Sequence, residues 1–349
     1  MNSDNFQIDL ILDKKIIGDN SNISYAIANF SEKINKIYQI CLPIDYCYLG
    51  KSENVLFKIT TLLKKPLGWI GGYRIKKLIR DGNYDFVYLN ELILHPLITH
   101  DSCFIIHVRV IFDCSNESAY RSLEEAKGVI FIDHATFEPF EKRNLKNKII
   151  LNNPFQMARI FDESKDHLKT EFDWKNKTVF SIIGRVVAIK GISFVIESFT
   201  KAASEKCLLI IVGPFHDPEY LSYCRRLAEG DDRIIFYGSE EKIQIIYDIS
   251  DYIIRGDPLQ CIGRTIYEGL YSGCDVIVPG TNPDIFFEYE KFKEKVHFYQ
   301  PNNNLSLTQQ IERLSGRKVT ERHYYSNVQE YLKEFNEFID RACQKKGSS

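Results

Sequence analysis

No apolar run in this chain approaches the roughly twenty residues that a membrane-spanning helix needs. The first residues, Met1 to Asn5, lack the basic start and apolar core of a signal peptide. Together these absences give the expectation of a cytoplasmic protein, with contact at the inner face of the membrane left open. Charge of one sign is missing as well: 45 basic residues stand against 47 acidic ones, a formal net charge of -2. That balance argues against a nucleic-acid partner, and any basic surface must be local. The nine cysteines are an odd number and have no paired metal-ligand spacing. They are expected to be reduced, mostly buried thiols, with no metal site.

What is present is the material of two globular domains. A chain of 349 residues exceeds one ordinary core, and two domains of roughly 150 residues each are the natural division. The first half reads as strands alternating with helices. Phe6–Leu12 is an apolar strand, Lys14–Asn22 a polar loop, Ile23–Ile34 a helix by the spacing of Ile23, Ala26, Ile27 and Phe30, and Ile37–Pro43 a strand. Further strands are expected at Asp85–Leu89, Phe104–Val108, Gly128–Ile132 and Lys148–Leu151. Such alternation predicts a parallel sheet with ligands at the carboxyl ends of its strands. His107 and Arg109 stand at such an end, where either could hydrogen-bond a sugar hydroxyl or a phosphate. Their plainer reading is a satisfied core histidine and a surface arginine. Glu91, His95 and His134 follow other strands and are weaker candidates of the same kind.

Between Phe57 and Arg80 seven basic residues (Lys58, Lys64, Lys65, Arg74, Lys76, Lys77 and Arg80) interleave with Phe57, Trp69 and Tyr73, and no acidic residue intervenes. A basic stretch with an aromatic face suits peripheral attachment to an anionic membrane. An ordinary helix pair with solvated lysines has the same composition. Pro66 and Gly71-Gly72 break the stretch into pieces too short to span a bilayer.

After Asn152-Asn153-Pro154 the alternation lapses through a polar segment, and a second α/β run begins at Thr178–Ile183. This strand leads into Gly184-Arg185 and Lys190-Gly191 and then a helix from Ile192. Arg185 can fork onto phosphate oxygens and Lys190 adds a point charge, a pair suited to a diphosphate. Strands at Leu208–Val212, Arg233–Tyr237 and Tyr252–Ile254 follow, with helices at Pro218–Glu229 and Glu240–Ile249 between them. The chain then reaches Gln260, the glycine turn at Gly263, a helix carrying Arg264, Thr265 and Glu268, the stop at Gly273, and the short strand Val276–Val278. A helix start after a glycine turn offers unpaired amides to an anion. A carboxylate one to two turns further, at Glu268, is a bidentate acceptor for a vicinal diol such as ribose. Alone, Glu268 reads sooner as a solvated helix residue. A last helix, Asn327–Cys343, has the apolar face of a docking helix.

Gly184-Arg185 with Lys190-Gly191, the strand from Leu208 to Gly213, Ile235 to Gly238, and Gln260 to Pro279 together resemble the retaining GT-B glycosyltransferases of the large family-four type, including those of bacterial surface polysaccharides. The resemblance is closest over residues 178–280. It implies an α/β fold of two facing Rossmann-like domains with a cleft between them: residues 1–165 for the acceptor, 166–325 for the donor, and a helix at 326–343 crossing back to the first. It implies transfer of a sugar from a nucleoside diphosphate donor to a hydroxyl acceptor with retention, without metal or other cofactor. By motif, Gly184, Arg185, Lys190 and the amides of Gly263, Arg264 and Thr265 would hold the diphosphate. Glu268 would hold the ribose, and His107 would approach the donor sugar. The expected acceptor is a glycan, lipid-linked if the basic stretch meets a membrane, as in O-antigen or capsule synthesis.

Two departures stand out. Gln260 replaces the first of the family's two spaced glutamates, and the loop Lys14–Asn22 holds only Gly18 in place of a Gly-Gly pair. An amide hydrogen-bonds a sugar but gives no charge to a developing oxocarbenium ion. Arg255 and Arg264 add cations near the expected donor, for a further phosphate contact or an acidic sugar. The other readings are a non-catalytic nucleotide- or partner-binding subunit and a nucleotide-sugar epimerase on the same fold.

Overall fold

Short runs of branched and aromatic residues, bounded by polar loops, make the strands of both sheets. A computed structural model describes residues 25–28, 80, 86–90, 92–98, 103–111, 117–160, 174–202, 205–258, 263–280, 282–286, 288–319 and 321–343. The strands expected at Phe6–Leu12 and Ile37–Pro43, the loop Lys14–Asn22, Glu91 and the basic stretch apart from Arg80 lie outside these residues. By internal contacts the chain divides into two units, residues 1–152 with 330–349, and residues 153–329.

The first unit holds five parallel strands in the order β1-β2-β3-β4-β5: β1 Tyr25–Ala28, β2 Phe86–Leu89, β3 Phe104–Val108, β4 Gly128–Phe131 and β5 Lys148–Ile150. Strands β2 to β4 are buried along their whole length, as strands covered on both faces must be. On one face Val87, Leu89, Ile106, Val108, Val129 and Phe131 pack with Tyr120 and Leu123 of helix α1, Glu117–Glu125. After β4, Asp133 caps helix α2, His134–Phe137, in a reciprocal pair with Thr136. The helix expected over Ile23–Ile34 is corrected here, because Tyr25–Ala28 is a strand paired with β2 in the register Tyr25↔Phe86. Four residues carry too short a period to separate helix from strand, and the edge of β2 decides.

The second unit holds six parallel strands in the order β11-β10-β9-β6-β7-β8. In chain order they run β6 Thr178–Ile183, helix α3 Ile192–Ala202, β7 Cys207–Val212, α4 Pro218–Leu227, β8 Ile234–Gly238, α5 Gln244–Ile249, β9 Tyr252–Ile254, α6 Arg264–Tyr271, β10 Asp275–Pro279, α7 Tyr289–Phe292, β11 Val296–Tyr299 and α8 Asn304–Leu314. The expected elements do not include β11 or α8, although Leu307, Ile311 and Leu314 stand at helical spacing behind an Asn303 cap. Strand order reverses beside β6: the chain builds outward through β7 and β8, then returns to place β9 on the other edge of β6. A crevice opens at such a reversal, at the carboxyl ends of the two strands.

The chain then returns to the first unit as helix α9, Val328–Cys343. Its Tyr331, Phe335, Phe338 and Ile339 cover the second face of the first sheet, over Phe86, Tyr88, Ile105 and Ile130. The fit is close: a methyl group on Gly128 would stand 2.7 Å from the Phe338 ring. Cys343 of this helix and Cys103, just before β3, form a disulfide. This corrects the expectation of reduced thiols throughout, since the pairing joins residues 240 apart in sequence, a distance at which spacing carries no signal. Cys207, Cys224 and Cys274 are buried and take no part in a disulfide, and burial pushes the Cys274 thiol up to about 12. Among the described residues no helix is long and apolar enough to cross a membrane.

Candidate active site

The six-residue run of β6 ends at Gly184, with φ at +149°, where a side chain would be strained. Gly213, at the end of the neighbouring β7, lies so close that a methyl group there would meet the Gly184 carbonyl oxygen at 1.9 Å. Strands β6 and β7 therefore leave the sheet as two loops in contact, further joined by Gly184 N–H to Val212 O at 2.9 Å and Val186 N–H to Pro214 O at 3.0 Å. Buried Val186 pins the loop between an exposed Arg185 and a 3-10 turn, Ala188–Lys190. The turn closes at left-handed Gly191, φ 64°, whose missing side chain would run into Gly256 O at 2.3 Å. Lys190 is placed by that contact.

Gly256 belongs to the end of β9. There Arg255 is anchored through its backbone, its N–H donating to Ile277 O at 2.9 Å and its carbonyl accepting from the Tyr299 hydroxyl at 2.7 Å. Its guanidinium, in a residue 8% exposed, bonds one oxygen of Asp257 through Nε at 3.0 Å and Nη2 at 2.5 Å. Gly263, extended at φ -69° and ψ 153°, caps α6 without a side-chain bond. The start of α6 therefore presents backbone amides and the positive end of its dipole.

These pieces surround one hollow at the strand-order reversal, lined by Gly184, Arg185, Lys190, Arg255, Gly263 and Thr265 among others. Of the residues singled out in the sequence, Gly184, Arg185, Lys190, Gly263 and Thr265 are thus brought together. Arg264 and Glu268 stand beside this wall and pair with each other, Arg264 Nε donating to Glu268 Oε1 at 2.5 Å. The other carboxylate oxygen accepts from the Tyr247 hydroxyl at 2.7 Å. Burial, and after it the charge of Glu268, holds the Tyr247 phenol well above its ordinary range, so it stays a donor. Gln260 lies outside the described residues.

His107 stands in the first unit, fully buried, with Nδ1 2.5 Å from the Tyr88 hydroxyl and no partner at Nε2. Burial, and after it the charge of Arg109, holds its imidazole well below the ordinary range and therefore neutral. Arg109 follows the strand and donates to Asn90 at 2.9 Å. His95, half-buried, lies 3.1 Å from the Ser122 hydroxyl, and His134 is exposed at the first turn of α2.

Tyr247 and Asp257 escaped the sequence reading. Each sits in a short apolar or glycine-rich segment whose spacing says nothing of a partner. No cluster of three or more metal-ligating side chains occurs among the described residues.

No family model matches the sequence, and no curated protein matches it. The likeness lies in the fold. A glycosyltransferase from Rickettsia africae is similar over 85% of this chain and 84% of its own, with a TM-score of 0.65 and 16% identity. The Anabaena protein HepE, in complex with UDP and glucose, matches over 78% and 75%, with a TM-score of 0.58 and 14% identity. The lipopolysaccharide outer core galactosyltransferase WaaB matches over 80% of each chain, with a TM-score of 0.54 and 15% identity. The chain has the GT-B fold that these structures share, two α/β units each built on a parallel sheet.

Proposed function

We propose that this protein is a glycosyltransferase that moves a sugar from a nucleoside diphosphate donor to a hydroxyl acceptor. The observation that carries this reading is the hollow at the carboxyl ends of β6 and β9, where Arg185, Lys190 and the uncapped start of α6 converge. Two cations and a helix start match a diphosphate. The UDP and glucose bound to HepE, which shares the fold, support the same ligand class here.

In this reading the bond from the anomeric carbon to the diphosphate oxygen breaks, and one further negative charge gathers on the leaving diphosphate. Arg185 and Lys190 stabilise that growing charge more than they stabilise the bound donor, which is how electrostatic catalysis lowers a barrier. The acceptor oxygen bonds to the anomeric carbon from the side the diphosphate leaves, so configuration is retained, and the diphosphate takes the acceptor proton. No side chain need act as base, and no metal is called for. Glu268 takes the ribose hydroxyls. Gln260 hydrogen-bonds the donor sugar without adding charge. The acceptor is a glycan of a bacterial surface polysaccharide, lipid-linked, with the basic stretch 57–80 meeting the inner face of the membrane. The outer core galactosyltransferase among the similar folds supports this class of acceptor.

One observation favours a second reading. Gln260 puts a neutral amide where the family pattern has a glutamate, as in a nucleotide-binding subunit without turnover. Thermal-shift and calorimetric titration with UDP, GDP, ADP, CMP and their sugar conjugates tests the donor site, with Arg185→Ala and Lys190→Ala alongside. One nucleotide should stabilise the wild type and neither variant. No shift with any nucleotide rejects the donor reading, while binding without release of UDP or its counterpart from any donor favours the subunit.

A further inference from the structure

The reading of the hollow as a donor site leaves one of its features unused. Arg255 and Asp257 bring two opposite charges into the pocket wall, where the residues are only 8% and 3% exposed. A buried ion pair is a poor device for stability, because removing two charges from water costs about as much as their attraction returns. Its position compounds the cost. A methyl group on Gly263 would lie 3.8 Å from Arg255 Nη1, so the guanidinium sits beneath the N-terminal end of α6. Helices favour cations at the opposite end.

The pair is also held still. Arg255 is fixed at its N–H by Ile277 and at its carbonyl by Tyr299, and the Gly256 backbone is pressed against Gly191, which closes the turn bearing Lys190. Asp257 Oδ1 accepts from two nitrogens of the guanidinium, Nε and Nη2. With Asp257 as its counter-charge, the guanidinium adds to the positive potential at the start of α6, and an anion placed there meets the helix dipole and the cation together.

We propose that Arg255, oriented by Asp257, is a third phosphate-directed cation of this pocket, acting on the phosphate that lies at the start of α6. The inference rests on the donor-site reading above. It gives the pair a role in the transfer: as the anomeric bond breaks, the charge gathering on the leaving diphosphate meets Arg255 as well as Arg185 and Lys190. Asp257 attenuates the guanidinium in the empty pocket and is a positioning residue, not a contact.

Calorimetry of UDP, uridine and UDP-glucuronate against the wild type, Arg255→Met, Asp257→Asn and the double variant Arg255→Met/Asp257→Asn tests this. The double variant removes both charges and so avoids leaving one buried alone. Loss of a charge-assisted contact should weaken UDP about tenfold or more in Arg255→Met and in the double variant. Uridine, which carries no phosphate, should bind all folded variants equally. Asp257→Asn should tighten UDP about threefold, since the cation loses its counter-charge. Equal weakening of UDP and uridine would mean that the pair only shapes the pocket, and would overturn the proposal. So would unchanged UDP affinity in the double variant, or a loss confined to UDP-glucuronate, which would assign the guanidinium to a sugar carboxylate. Should the wild type bind UDP while these variants bind it equally well, the inference alone falls. If the wild type binds no UDP, both the uridine-nucleotide donor and the inference fall together.

Discussion

Tyr247 and Glu268 are joined by a single hydrogen bond of 2.7 Å, the phenol of a fully buried residue on α5 donating to the half-buried carboxylate on α6. With Arg264 on the other oxygen, the carboxylate is aimed before any ligand arrives. Tyr247→Phe removes the donor and leaves the shape, so stability should fall by about 1–3 kcal/mol. If Glu268 holds ribose, the same variant should lose part of the preference for UDP over its 2'-deoxy analogue. Denaturant melts and paired titrations measure both effects; an unchanged preference would remove Glu268 from the ribose site.

Two positive-φ glycines of the second unit separate two kinds of backbone strain. Gly213 has φ +142° and no room, with the Gly184 carbonyl at 1.9 Å from an added methyl, whereas Gly230 has φ +80° and open space. Gly230→Ala should cost about 1 kcal/mol and leave nucleotide binding intact. Gly213→Ala should cost about 3 kcal/mol or more, and should also weaken nucleotide binding by displacing the loop that bears Arg185. Melting curves and UDP titrations of the two variants, side by side, decide it.

Acid should destabilise the first unit through His107. In the unfolded chain its imidazole takes up a proton near 6.5, but in the folded protein only well below that, because it is buried and lies near Arg109. Between those limits the unfolded state binds more protons, so stability rises with pH and is lost as pH falls below 6.5. The slope from this group is at most about 1.4 kcal/mol per pH unit. Half-buried His95, lowered by burial, adds to it with the same sign. Tyr331, beyond the neighbouring Tyr88, stays neutral in this window, burial holding its phenol well above the ordinary range. His107→Gln should flatten the dependence in melts between about pH 4.5 and 7. An unchanged slope would place the proton uptake elsewhere.

The Cys103–Cys343 disulfide ties the end of α9 to the start of β3 across 240 residues. Reduction, or Cys103→Ser, should lower stability by about 2–4 kcal/mol, since the closed loop is long. Thermal melts with and without reductant should differ for the wild type and coincide for the variant. Coincident melts for the wild type would show that the two thiols are not joined.

Much of this architecture was legible in sequence because it rests on local causes. The run Thr178–Ile183, the close of a 3-10 turn at Gly191, the cap at Gly263 and the amphipathic face of α9 each follow from residues within a few positions of one another. The alternation of strands and helices then dictates parallel sheets, and a parallel sheet places its ligands at the carboxyl ends of its strands. Arg185, Lys190 and Gly263 could be picked out on that ground alone. Tyr25–Ala28 could not be placed, because four apolar residues suit either period until β2 offers an edge.

Partnerships between residues far apart in sequence came from the assembled fold. Most strands and helices, and the loops that bear charge, can be read along the chain, with Tyr25–Ala28, β11 and α8 as exceptions. The sequence could not determine that Tyr247 supports Glu268, that the Lys190 turn leans on Gly256, that Arg255 lies under the start of α6, or that Cys103 meets Cys343. Local propensity is set by neighbours along the chain, whereas these contacts depend on the order and register in which the strands assemble. No spacing between the paired residues records that order.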